Sequence, residues 1–353
     1  SGTTSAITIS GALTVDGGTI KLDGNYPTGT DNVAMGDTAL DSVEAGGTHN
    51  TAIGSKSGTA ITTGDCNTSV GSCSLSANTT GVKNVAIGRI ALRDNTSGDG
   101  NVAVGTLSML ANTTGDNNVA IGLCALVTNS TASDNIGVGN NALAVNTTGS
   151  QNVAVGSLAL DANTIGCRGV AIGYNAMGAN TDGNFNTAVG RSALATNTTG
   201  DNNVSVGYSS LQNSTTSSGN TSVGMESMFL NTTGESNTAM GLCSLRANTT
   251  GACNVAVGCG ALVANTTGNT NTAIGYFSLY ANTTASDNTA LGRYSLFTNT
   301  TGAENTGLGT NALRCNTTAS NNTAVGRSAL QENTTGSSNV AVGYYAGLQN
   351  TTG

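Results

Sequence analysis

The chain has 353 residues, a formal net charge of −8, fifty glycines, one proline and no tryptophan, and only 8% of its residues are charged. This balance argues against nucleic acid, whose phosphates call for clustered Lys and Arg, and no apolar run approaches the length of a membrane span. The apolar residues stand in strict register, unlike those of a disordered Gly/Ser/Thr/Asn-rich chain.

Residues 1–31 read as a β-structured N-terminal connector. Ala6–Ile9 and Leu13–Val15 alternate like short strands, and Asp16-Gly17-Gly18 reads as a hairpin turn into Thr19–Leu22, with Pro27 in a following loop. Residues 32–353 read as a β-solenoid shaft. Its entry, Asp31–Gly54, holds the one lengthened step between anchor glycines, from Gly36 to Gly54, and the only histidine, His49, in the loop SVEAGGTHN. A lone loop histidine without a positioned partner reads as solvated.

The unit NVAVGTLSMLANTTG (Asn101–Gly115) then recurs, its anchor glycine returning at a constant step from Gly54, Gly71 and Gly88 through to Gly343 with no insertion. A short period held this long is the signature of a solenoid whose coils pack only on their neighbours. Stacking at about 4.8 Å per strand gives a rod about 90 Å long. The expected fold is all-β, a parallel β-solenoid (β-roll) of 17-residue coils. Gly353 falls inside the turn of a repeat, so the chain is expected to be part of something longer.

Columns are read from the anchor glycine. The preceding residue is always apolar, as at Val104, Ile121, Val155, Ile172 and Val189, and is expected to face a dry core. Val, Thr or Ile two residues earlier shares that face by strand alternation. Leu or Met stands four residues after the glycine, as at Leu92 and Met109, with Gly347 a departure. Two strands per coil, one around V-x-V and one around A-L, would point these columns at each other. The glycine itself marks a corner of positive φ.

The second corner is N-T-T-G. Its first position, at Asn78, Asn112, Asn146, Asn197, Asn248 and Asn265, is expected to form an asparagine ladder, with Ser214 replacing it once from Asn78 onward. A second asparagine column lies four residues before each anchor glycine, with Gly169 the exception. The N-T-T tripeptides match the glycosylation acceptor pattern, but the repeat accounts for them structurally.

Between the two β-branched positions only Ala, Ser or Gly occurs, as at Ala86, Ala103, Ala120, Ala154, Ala171, Ala188, Ala256 and Ala273. Alternation places this column opposite the expected core, so close packing against an identical chain is expected there. Charges also fall in columns. Asp65, Asp99, Asp116, Asp201 and Glu235 lie six residues before an anchor glycine; Arg89, Arg191, Arg293 and Arg327 follow it directly, and Arg93, Arg246 and Arg314 come four places further on. These edges read as solvation of a polar fibre rather than as a binding stripe. The eight cysteines lack metal spacing; Cys66–Cys73 and Cys253 with Cys243 or Cys259 are the locally plausible pairs, against a reading as substituted small positions.

The recurring N-V-A-V-G-x-x-A-L unit resembles the N-S-V-A-I-G-x-x-S head repeats of trimeric autotransporter adhesins, which build a left-handed parallel β-roll in a trimer. It is still more similar to the N-T-T-G-x-x-N-V-A-V-G arrays of bacteriophage tail fibres and related virion fibres, a likeness extended by Leu13–Leu40. Autotransporter heads commonly repeat at a shorter period, which favours the virion fibre. The resemblance implies a homotrimeric tail fibre or virion spike shaft that projects host-recognition elements. Its partners would be identical chains and a host cell-surface glycan or protein, with no nucleic acid and no membrane insertion. A cellular trimeric adhesin or extracellular filament subunit is the alternative, and an ice-binding solenoid a minor one. No catalytic constellation or cofactor motif is legible, so neither catalysis nor a cofactor is expected.

Overall fold

The computed structural model describes residues 29–352; the expected connector lies almost wholly outside the described residues. Each coil contributes one three-residue strand, from β1 (Val33–Met35) and β2 (Thr51–Ile53) through β5 (Val102–Val104) and β6 (Val119–Ile121) to β19 (Val340–Val342). Every strand pairs in parallel with the next, without slip. Val102, Ala103 and Val104 of β5 stand beside Val119, Ala120 and Ile121 of β6, and the same register joins β1 to β2 and the coil before to β19. The β-branched triplet favours an extended backbone. Its backbone groups pair along the rod axis, as in Val102 N–H to Asn118 O at 2.8 Å and Gly105 N–H to Ile87 O at 2.8 Å.

The A-L segment, expected as a second strand, is a turn. Its leucine takes a left-handed backbone, with φ of 50° at Leu92 and 51° at Leu126, and so does the residue two places before it, as at Leu107 with φ 61°. Left-handed steps reverse the chain inside one coil and swing the leucine inward. At the leucine the strain of a left-handed backbone with a Cβ is offset by full burial of the side chain, whereas Leu107 stays half-buried.

The strand faces are the reverse of those expected. Ala86, Ala103, Ala120, Ala154, Ala171, Ala188, Ala256 and Ala273 are 0% exposed inside the chain's own coils. Ile121 (40%), Val155 (37%) and Ile172 (40%) point outward, and Val104 and Val189 are half-buried on that same outer face. The alternation holds but its polarity is inverted. A coil built of one short strand and two corners encloses a narrow interior, filled by one Leu or Met and flanked by small residues. At Gly137, an added Cβ would lie 3.3 Å from Leu126 Cγ and 3.2 Å from Ala142 O, so a methyl group already reaches the opposite wall. Where serines replace alanines they pair across this gap, as Ser57 with Ser69 (2.6 Å) and Ser210 with Ser222 (2.7 Å).

Two asparagine ladders run the length of the interior. In the N-T-T-G column, Asn112 Nδ2 donates to Asn95 Oδ1 at 2.7 Å and to Gly115 O at 3.0 Å. Asn78, Asn146, Asn197, Asn248 and Asn265 each donate in the same way to the carbonyl three residues on. These amides are 0% exposed, so a glycan has no access to them in the folded coil. In the second ladder, Asn101 N–H donates to Asn84 Oδ1 at 2.9 Å and Asn101 Nδ2 to Gly115 O at 2.8 Å. Satisfied buried amides of this kind lock the register of neighbouring coils.

The departures from the repeat are compensated locally. Gly58 replaces the core leucine, and Ile61 replaces the turn asparagine, its Cδ1 lying 3.0 Å from where a Gly58 Cβ would stand. Ser214 and Ser217 replace an Asn and a Gly together and bond to each other at 2.5 Å. Asn197 Oδ1, which loses its ladder donor there, is left without a partner. Gly169 interrupts the second ladder, since it has no side chain to accept from Asn186 N–H. A Cβ at 169 would meet Asn152 Oδ1 at 3.1 Å and the flexible end of Met177 at 3.3 Å, and no positive φ forbids it. Gly169→Asn is therefore expected to stabilise the chain by about 1 kcal/mol, from one restored hydrogen bond and a less flexible unfolded chain. A urea midpoint that falls rather than rises would mean that Met177 has no room to give.

Candidate functional site

Outside the packed interior, each coil presents three outward strips. The first is the strand face. Its two columns bracket the buried alanine and expose, for example, Val33, Ile87, Ile136, Val204 and Leu291. The column before the anchor glycine is apolar in all nineteen strands of the described residues, while the other holds Val or Ile in some coils and Thr in others. Together they make a largely apolar strip, well beyond the scattered single exposures ordinary on a soluble surface.

The second strip is the N-T-T corner. The first threonine of the pair hydrogen-bonds to the next coil, as Thr79 Oγ1 to Thr96 O at 3.0 Å and Thr147 Oγ1 to Thr164 O at 3.0 Å. Beside it runs the acidic column, which is more than solvation. Asp99 and Asp116 each accept a backbone N–H of the preceding coil at 2.8 Å, from Val82 and Asp99 respectively, and Asp65 accepts from Thr48 N–H at 2.6 Å. In other coils Ser133 and Ser218 accept in the same way. Where Asp or Ser stands in this column, it supplies a short acceptor to the preceding coil.

The third strip carries the first, second and fifth residues after the anchor glycine, and here the repeat is variable. Two cavities lie along it. One, of about 440 Å³, is lined by Glu226, Leu242, Cys243, Arg246, Cys259, Gly260, Val263, Phe277 and Tyr280. Arg246 Nε donates to Glu226 Oε2 at 2.8 Å and its guanidinium lies 5.3 Å from the Phe229 ring. The Phe277 ring folds over Gly260, its ring carbons 2.3 Å from where a Cβ would stand. The other cavity, of about 250 Å³, is lined by Arg293, Tyr294, Thr310, Asn311, Arg314 and Arg327.

Between them lies an aromatic patch. Tyr280 stacks on Phe297 (5.2 Å), Tyr294 meets Phe297 edge-on (5.2 Å) and Tyr276 meets Tyr294 edge-on (5.7 Å). Sequence reasoning identified the arginine columns and missed these rings. The available signal was that five of the twelve aromatic residues fall within Tyr276–Phe297, all on the variable positions of adjacent coils.

All eight cysteines are free thiols, so none of the locally plausible pairs is formed. Burial, then the nearby Glu226 and Glu332 carboxylates, push the Cys243 and Cys315 thiols above their usual range, which disfavours the reactive thiolate. His49 is exposed, but Asp31 Oδ2 stands 3.4 Å from its Nε2, a partner the sequence reading did not identify. Among the described residues, no group of three or more His, Cys, Asp or Glu side chains is placed to hold a metal ion, and no helix is long and apolar enough to cross a membrane. No protein-family model and no curated protein sequence matches the chain.

Proposed function

We propose that the chain is a shaft segment of a homotrimeric fibre, a phage tail fibre or virion spike that projects host-recognition elements, and that its role is structural rather than catalytic. The observation that carries this reading is the apolar outer strand face. A rod that keeps its own core complete and still exposes Ile87, Ile121, Val155, Ile172 and Leu291 in line presents a surface suited to burial against a like surface. In a fibre of identical parallel chains, that strip packs against its copies around a common axis. The interface is thus assigned to the V-x-V face and no longer to the alanine column, which is consumed inside each coil. The polar N-T-T corner remains toward water.

Sedimentation equilibrium tests the proposal. The wild type is expected to be a trimer at micromolar concentration. Val155→Asp with Ile172→Asp, which places two carboxylates per chain on the strip, should release monomers whose circular dichroism is unchanged. A monomeric wild type would sink the trimeric fibre, and a trimer indifferent to the double substitution would sink the assigned face.

A further inference from the structure

The 250 Å³ cavity draws together Arg293, Arg314 and Arg327, three of the chain's eleven basic residues, in a protein of net charge −8. The ion pairs among the described residues are His49–Asp31, Arg93–Asp94 and Arg246–Glu226. None of the three guanidinium groups is in an ion pair among the described residues. Two of them are ordered over one ring, Arg293 at 4.7 Å and Arg314 at 5.8 Å from the Tyr294 centroid, and Arg327 lies 5.8 Å from Tyr344. Thr310 and Asn311 add neutral hydrogen-bonding groups to the lining. Unpaired guanidinium groups held in place around a recess are arranged for an anion with two coplanar oxygens.

The surroundings narrow the class of ligand. Tyr276 and Tyr280 are exposed beside the recess, backed by the half-buried Phe277, Tyr294 and Phe297. The electron-rich faces of such rings suit the polarised C–H bonds on one side of a sugar ring. The recess has the volume for a single ring rather than a drug-sized ligand. We propose that this site binds an acidic saccharide, its carboxylate or sulfate held by Arg293, Arg314 and Arg327 and an adjoining sugar ring lying on the aromatic patch. A nucleic acid strand would also use arginines and aromatic rings, but three cations on an acidic rod give too short a track for a polyphosphate. The site is complete within one chain, so it stands independently of the oligomeric state.

The test is calorimetric titration of the full 353-residue chain with trigalacturonate, a sialylated trisaccharide and a heparin-derived tetrasaccharide. Trigalacturonate methyl ester, inorganic phosphate and a single-stranded thymidine hexamer serve as comparisons. At least one acidic saccharide should bind, more weakly as salt rises, and at least tenfold more tightly than the uncharged ester. Arg293→Ala with Arg314→Ala should weaken it tenfold or more, whereas Arg168→Ala, far along the rod, should not. Tyr276→Ala with Tyr280→Ala should weaken the saccharide and leave phosphate unaffected. The proposal is overturned if no acidic saccharide binds at millimolar concentration. It is likewise overturned if phosphate binds as tightly as every saccharide, if the hexamer binds more tightly than any of them, or if the arginine variant keeps its circular dichroism and its full affinity.

Discussion

Gly156→Ala is expected to destabilise the rod by about 3 kcal/mol or more, and Gly219→Ala by only about 1 kcal/mol, although both glycines have a positive φ. The φ values are 137° at Gly156 and 70° at Gly219. The two differ in what the next coil places against them. A Cβ on Gly156 would stand 2.5 Å from Gly173 O and 2.7 Å from its carbonyl carbon, whereas a Cβ on Gly219 would meet nothing nearer than Ser236 Oγ, at 3.6 Å. The first substitution therefore adds a backbone clash to the φ strain, and relief would require two coils to part along a ladder of hydrogen bonds. Thermal unfolding of the whole chain followed by circular dichroism measures the difference. Equal losses at the two sites would show that φ alone selects glycine and that close stacking does not.

Ala154→Leu carries the second large effect, and it strikes the coil itself. Ala154 is fully buried beside Ala159 and Leu160, also fully buried, in an interior where the methyl of an alanine already meets the opposite wall. Three further carbons force the strand away from the turn, an overpacking cost of up to about 3 kcal/mol. Because neighbouring coils are what each coil packs on, the loss is expected as a local opening that splits the rod near its middle. Hydrogen exchange should show new unprotected amides around Val153–Val155 while the coils beyond Gly190 stay protected. A mutant with full protection that merely fails to trimerise would restore the alanine column as an interface and return the valine column to the core.

The arithmetic of the chain, with anchor glycines evenly spaced from Gly54 to Gly343, was enough to establish a solenoid, its corners and both asparagine columns. Each of these follows from local chemistry repeated in register. A glycine at every corner, a buried amide that can bond only to its copy, and a β-branched triplet all state their roles without reference to distant residues. The resemblance to virion fibres rests on the same units and adds the expectation of a trimer, which the strand face makes testable.

What the residues alone left undetermined was which side of the strand is inside. Period-two alternation separates Val102 and Val104 from Ala103 but assigns neither to the core, and the usual rule that large apolar residues lie inside points the wrong way here. The tertiary structure decides it through width. One short strand and a left-handed turn enclose room for Met109 and little else, so Ala103 faces in and Val104 faces out. The recess at Arg293, Arg314 and Arg327 was hidden for a related reason. Its members lie in three successive coils, and two full repeats of sequence separate Arg293 from Arg327. Only the stacking of coils brings the first, second and fifth residues after successive glycines onto one strip, where unpaired charge and aromatic surface meet.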